Sequence, residues 1–107
     1  MTDKIVVLTT TDSEESAKAL ARHLVDRRVA ACVNILPKAT SVYRWKGAVE
    51  EASEFLLVIK SRRDRFPQLR DELASIHSYE VPEVIALPIV DGSDAYLGWL
   101  DQELKTD

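Results

Sequence analysis

Residues 29–60, VAACVNILPKATSVYRWKGAVEEASEFLLVIK, hold two extended segments joined by a turn. Val29 to Leu36 is apolar and β-branched enough for a strand, Pro37 halts it, and Thr40 to Trp45 resumes extended structure with alternating character before Gly47. Glu50 to Lys60 climbs from acidic residues into Phe55-Leu56-Leu57-Val58-Ile59, so a third strand returns along the second. The residues flanking Trp45-Lys46-Gly47 then form an extended hairpin. Its first strand is long and broken at Pro37, because proline has no amide proton for a ladder.

Outward from the hairpin the period changes. Upstream, Lys4 to Thr10 (KIVVLTT) reads as a first strand, and Asp12 with Glu15 stands in capping-box spacing at the start of a helix. Ala17, Leu20, Ala21, Leu24 and Val25 mark that helix's core stripe, with Lys18, Arg22 and Asp26 on the other side. Downstream, a second helix begins near Ser61 or Asp64, accepts Pro67 in its first turns, carries Phe66, Leu69, Leu73 and Ile76 on one stripe, and ends around His77. Val81 to Val90 reads as a fourth strand with Pro82 and Pro88 at edge or bulge positions. Asp91-Gly92-Ser93 turns the chain into a short final helix carrying Tyr96, Leu97, Leu100 and Leu104.

The order is βαββαβ plus a C-terminal helix, an α+β, ferredoxin-like plan in one domain, residues 1–107, with both main helices on one face of an antiparallel sheet. A sheet with one wet face alternates apolar with polar residues, yet Ile5–Leu8, Ala30–Val33 and Phe55–Ile59 are nearly continuous apolar runs. The second face therefore needs a cover. In a chain of 107 residues the simplest cover is another copy, so the pattern predicts an oligomer with sheets inside and helices outside.

Hydrophobic residues make up 46% of the chain and charged ones 30%, the balance of a folded soluble domain. A net charge of -4 disfavours phosphate backbones, so nucleic acid is not an expected partner. The apolar run at the N-terminus is far shorter than a signal core or membrane span, and the single cysteine, Cys32, suits a reducing compartment; a cytoplasmic location without membrane association is expected.

The ordered segments Ala30-Ala31-Cys32-Val33-Asn34-Ile35, Ser41-Val42-Tyr43-Arg44-Trp45-Lys46-Gly47, Lys60, His77-Ser78-Tyr79-Glu80-Val81-Pro82-Glu83 and Tyr96-Leu97-Gly98-Trp99-Leu100 resemble the CutA divalent-cation tolerance family across nearly the whole chain. The resemblance implies a homotrimer of ferredoxin-like protomers similar to PII signalling proteins. It also implies a role in tolerance of divalent metals, notably copper. Where an enterobacterial member has a cysteine and paired histidines discussed as copper ligands, this chain has Thr9, and Ile76 before a single His77.

Cys32 can supply a soft thiolate to copper, but its apolar setting also suits a buried structural thiol. His77 lies at a helix end beside Tyr79 and Glu80, so it is either a ligand or a histidine bonding helix carbonyls. His23 reads as surface, and Glu50, Glu51 and Glu54 as a solvated face. The likeness suggests that Tyr43, Trp45 and Lys60 approach His77, Tyr79, Glu80 and Glu83 across a subunit boundary, with Lys60 opposite Glu80. That set would form a cleft for a metal or small polar ligand; the aromatics read equally as interface anchors.

Enzymatic readings lack their residues. The first loop, Thr9-Thr10-Thr11-Asp12-Ser13, has neither the Cys-x-x-Cys of a soft-metal chaperone nor the arginine of a phosphate cradle, and no glycine-rich loop exists. The third strand lacks the base-stacking aromatics of an RNA-recognition motif. The expectation is a non-enzyme with no required cofactor, copper or another divalent cation as ligand, and itself as partner. A PII-like small-ligand sensor and a trimeric scaffold for a protein partner are the alternatives.

Overall fold

The computed structural model describes residues 2–106. Its elements are β1 (Lys4–Thr11), α1 (Glu14–Asp26), β2 (Cys32–Trp45), β3 (Ala48–Arg62), a 3-10 turn (Arg63–Arg65), α2 (Phe66–Ile76), β4 (Ile85–Pro88) and α3 (Asp94–Glu103). The four strands form one antiparallel sheet in the order β2-β3-β1-β4, the ferredoxin-like arrangement expected from the sequence.

The hairpin reverses at Lys46 and Gly47, with φ of 49° and 85°. Two left-handed residues in a two-residue loop match the twist of the flanking strands, and glycine takes the second position without a Cβ penalty. Trp45 pairs with Ala48 and Tyr43 with Glu50. β2 does not stop at Pro37. It continues through a bulge, where the register shifts between Leu36 and Ala39 and Lys38 takes φ 63°, so the missing proline donor falls where the ladder is already interrupted.

Two strand boundaries move inward from the sequence expectation. Val29 to Ala31 lies before β2 as a buried connection from α1, with the Ser61 hydroxyl donating to the Val29 carbonyl over 2.6 Å. β4 covers only Ile85–Pro88 of the expected 81–90, since the chain around Pro82 runs outside the sheet. The α1 cap is also shifted: Ser13, not Asp12, accepts the Ser16 amide at 3.1 Å, leaving Glu14 and Glu15 in the first turn, where they favour the positive helix end.

Strand pleating sorts the residues onto two faces. Ile5 and Val7 of β1 and Leu57 and Ile59 of β3 point with Leu20, Leu24, Leu69 and Leu73 into the core between sheet and helices. Each such side chain contributes about 1.5–3 kcal/mol by leaving water. On the opposite face Val6, Leu8, Leu56 and Val58 are half-buried, and Leu36, Ile85 and Leu87 are about half exposed at 45%, 50% and 47%. α3 covers only one end of this open face, over Ala31, through Leu97, Leu100 and Leu104. Asp101 of α3 receives Lys4 at 3.2 Å and Arg62 at 3.0 Å, tying it to β1 and β3.

β1 pairs with β3 only as far as Thr11 and Phe55, so beyond Glu54 the hairpin projects as a two-stranded ribbon. Val42 and Val49 on that ribbon are each 64% exposed. Such a ribbon has little stability of its own and carries apolar surface that the described residues leave uncovered.

Candidate functional site

Glu54 marks where the ribbon leaves the sheet. Its partner in register is Ala39, and counting by twos along β2 places Ser41, Tyr43 and Trp45 on the same face, the open one. From the other side the chain leaves α2 at His77, wraps the end of β1 and crosses back through Tyr79, Glu80 and Glu83. Between these two arms lies a cleft of about 610 Å³ lined by Thr10, Ser41, Val42, Tyr43, Trp45, Glu54, Tyr79, Glu80, Val81 and Glu83.

Hydrogen bonds set the second arm. The His77 amide closes α2 on the Leu73 carbonyl, and its ring reaches the Thr10 carbonyl through Nε2 at 2.8 Å. The Tyr79 amide donates to His77 Nδ1 at 3.1 Å. A nitrogen that accepts carries no proton, so Nε2 bears the hydrogen and donates to Thr10, which fixes the tautomer. The two rings stand 4.8 Å apart. The Tyr79 phenol then donates to Glu54 Oε2 over 2.5 Å. Burial first, and then the bond to Glu54, hold the Tyr79 proton well above the ordinary phenol range.

Glu54 is only 6% exposed, and among the described residues no lysine, arginine or histidine pairs with it. Reading Glu54 as part of a solvated face is thus corrected. Glu54 shares its pleat with the exposed Glu50 and Ala48 as well as with Leu56 and Val58, so strand parity carries no signal of its burial, which comes from the Tyr79 arm packing against it.

Five of the seven cleft residues expected from sequence line the cavity: Tyr43, Trp45, Tyr79, Glu80 and Glu83. His77 supports it from behind. Lys60 is elsewhere in the chain: it pairs with Cys32 and Val6 in the register, and its ammonium donates to Asn34 Oδ1. It lies six positions beyond Glu54 on β3, about 20 Å at the strand rise, so the pairing with Glu80 does not form within one chain.

The two metal-ligand candidates also separate. Cys32 on β2 is opposite Lys60 of β3, which in turn pairs with Val6 of β1, whereas His77 meets β1 at Thr10, about 13 Å farther along that strand. Cys32 is half-exposed on the open face, with Sγ 3.9 Å from Asn34 Oδ1 and Tyr96 of α3 beside it, which corrects its reading as a buried thiol. Burial, and then the nearby Cys32, raise the Tyr96 phenol above its ordinary value. Among the described residues no group of three or more His, Cys, Asp or Glu side chains is placed to hold a metal ion within one chain. His23 is more than surface, for its ring meets Glu72 Oε1 at 2.7 Å and links α1 to α2.

Residues 5–103 match the family described as CutA1 divalent ion tolerance protein. The chain belongs to the CutA1 family. It is 50% identical over 95 residues to the divalent-cation tolerance protein CutA of Thermus thermophilus, a match covering 89% of this chain and 92% of that one. With human protein CutA it shares 50% identity over 93 residues, 87% of this chain and 52% of the human one, so it spans about half the length of that relative. The solved structure of the periplasmic divalent cation tolerance protein CutA from Archaeoglobus fulgidus superposes with a TM-score of 0.93 at 36% identity, covering 95% of this chain and 99% of that one. CutA1-family membership thus accounts for the fold, and the name of the Archaeoglobus relative places that protein in the periplasm. No helix among the described residues of this CutA1-family chain is long and apolar enough to cross a membrane.

Proposed function

We propose that this chain serves divalent-cation tolerance as a non-enzymatic homotrimeric binding protein of the cytoplasm, with its binding site in the cleft between the hairpin and the Tyr79–Glu83 arm. The observation that carries this reading is the buried Glu54–Tyr79 pair facing a cavity on the same sheet face that the chain leaves uncovered. A copy seated on that face would cover Leu36, Ile85 and Leu87 and close the cleft at the same time. Copper, or another divalent cation, is the ligand that family membership brings forward. With no three-ligand group among the described residues of one chain, such an ion would draw ligands from more than one protomer, the carboxylates of Glu80 and Glu83 among them.

A second reading, a PII-like small-ligand sensor, is favoured by the aromatic walls Tyr43 and Trp45, which suit a molecule better than a bare ion. Light scattering across a dilution series, followed by calorimetry with buffered Cu2+ and Zn2+, tests the proposal. A trimer that binds copper, and loses that binding on Glu80→Gln with Glu83→Gln, supports it. A stable monomer would overturn it, as would copper affinity unchanged by those substitutions.

A further inference from the structure

Two interruptions of the sheet fall at one level. β1 ends its pairing with β3 at Thr11 and Phe55. The β2–β3 ladder breaks at the same place, for Leu36 pairs with Leu56 and Ala39 with Glu54, which leaves Pro37 and Lys38 opposite Phe55 alone. Pro37 has no amide proton to donate, and Lys38 is held at φ 63°, in the left-handed region that a Cβ disfavours. Beyond this level the ribbon keeps its own regular ladder from Ala39–Glu54 to Trp45–Ala48, so it holds together as a unit. Among the described residues one side-chain bond alone joins residues 39–54 to the rest of the chain, that of the Tyr79 phenol to Glu54, at the first residue pair past the break.

Hinges form at the few element-terminal residues that absorb a change in φ and ψ, and a bulge is where a strand already bends. We propose that Pro37, Lys38 and Phe55 form a pivot about which the ribbon turns as a rigid unit, with the Tyr79–Glu54 hydrogen bond as its latch. The two walls of the cleft stand on either side of this pivot, Ser41, Tyr43 and Trp45 on the ribbon and Tyr79 and Glu80 on the arm from α2. Release of the latch moves one wall against the other and changes the opening of the cavity. The residues that a second copy would cover, Leu36, Ile85 and Leu87, lie on the sheet side of the pivot, so a copy seated on them does not itself bridge it. The pivot stands on the ladder geometry; its use as a gate rests on the binding reading of the same cleft.

The test uses the full chain in its native assembly, with one doubly labelled chain per assembly obtained by refolding with an excess of unlabelled chains. Nitroxides at Lys18→Cys on α1 and Val49→Cys on the ribbon, both exposed positions, are placed in a Cys32→Ser background, and their separation is read by double electron–electron resonance. A single narrow distance is expected with Tyr79 in place, and a second, separate distance in Tyr79→Phe. Amide exchange at residues 40–44 should stay as slow in that variant as in the wild type, since a ribbon that turns rigidly keeps its ladder. Deleting Lys38 together with Pro37→Thr removes the extra residue without shifting the register on either side, and should return Tyr79→Phe to the single distance. If that variant does not fold, Lys38→Gly in the Tyr79→Phe chain is the companion; it should raise the share of the second distance, because glycine frees the joint. A single unchanged distance in Tyr79→Phe overturns the proposal, whether the ribbon is stiff or a neighbouring copy clamps it. Faster exchange at residues 40–44 also overturns it, since the ribbon then melts and does not turn. A second distance that persists without Lys38, or that Lys38→Gly leaves unchanged, puts the joint elsewhere and overturns it as well. No ligand enters these measurements, so loss of the copper reading by calorimetry leaves the pivot standing, and loss of the pivot leaves that reading standing.

Discussion

The phenol of Tyr79 and the carboxylate of Glu54, 25 positions apart in the chain, meet over 2.5 Å and bridge the α2–β4 connection to the base of the hairpin. That contact holds the two arms of the cleft together. A hydrogen bond to a charged, buried acceptor is worth more than an ordinary one, because its loss leaves the acceptor unsatisfied.

Tyr79→Phe is therefore expected to destabilise the protein by about 2 kcal/mol at neutral pH, measured by urea unfolding. The pH dependence has a definite sign. A phenol whose pKa is raised on folding contributes stability that is complete below the unfolded value near 10.0 and is lost as pH rises from there toward the folded value. The unfolding midpoint of the wild type should fall more steeply above pH 10 than that of Tyr79→Phe. Equal slopes would show that Tyr79 does not titrate late.

Leu87→Glu probes the open face. Leu87 is 47% exposed in the single chain, so the substitution leaves the core of the protomer untouched. Wild type should scatter as three copies of 12.0 kDa, and Leu87→Glu should lower that mass at micromolar concentration, because a charge buried without a partner costs several kcal/mol. A variant of unchanged mass would mean that another surface joins the copies.

Asp101→Asn tests how α3 is held. The Arg62 hydrogen bond chiefly, and Lys4 in addition, keep the Asp101 carboxyl below its ordinary value of 3.8. A depressed carboxyl contributes stability above its unfolded pKa and loses it as pH falls through the lower folded value, so the contribution disappears below about pH 4. The Asp101 side chain is 50% exposed and screened, which limits the loss at neutral pH to about 1 kcal/mol or less. Amide exchange in α3 should rise while exchange in β1 and β3 stays slow, since Leu100 and Leu104 still anchor the helix.

His77→Ala removes both ring bonds and should cost about 1–2 kcal/mol. Nitrogen NMR of the wild type should show the hydrogen on Nε2, bonded to the Thr10 carbonyl. A hydrogen on Nδ1 would contradict the Tyr79 amide contact and free Nε2 for a metal.

The element order, the two amphipathic helices, the hairpin turn and the need for a cover on the second sheet face were all legible in the sequence. Each depends on a local period or on a residue with special backbone chemistry: Leu20 and Leu24 on one helix stripe, Gly47 at a left-handed position, Ile5–Leu8 without a polar alternate. The tertiary structure decided what those rules do not reach. Pro37 reads locally as the end of a strand, yet a bulge absorbs it because β3 continues alongside and supplies the remaining ladder. Cys32 looks buried among its apolar neighbours, yet lies half-exposed because the strand begins there and the pleat turns it to the open face. Lys60 and Glu80 have opposite charges but sit at different ends of the sheet, whereas Glu54 and Tyr79, ordinary in sequence, meet where the sheet ends. A carboxylate's burial is fixed by what the rest of the chain folds against it, and local sequence carries no record of a partner 25 residues away.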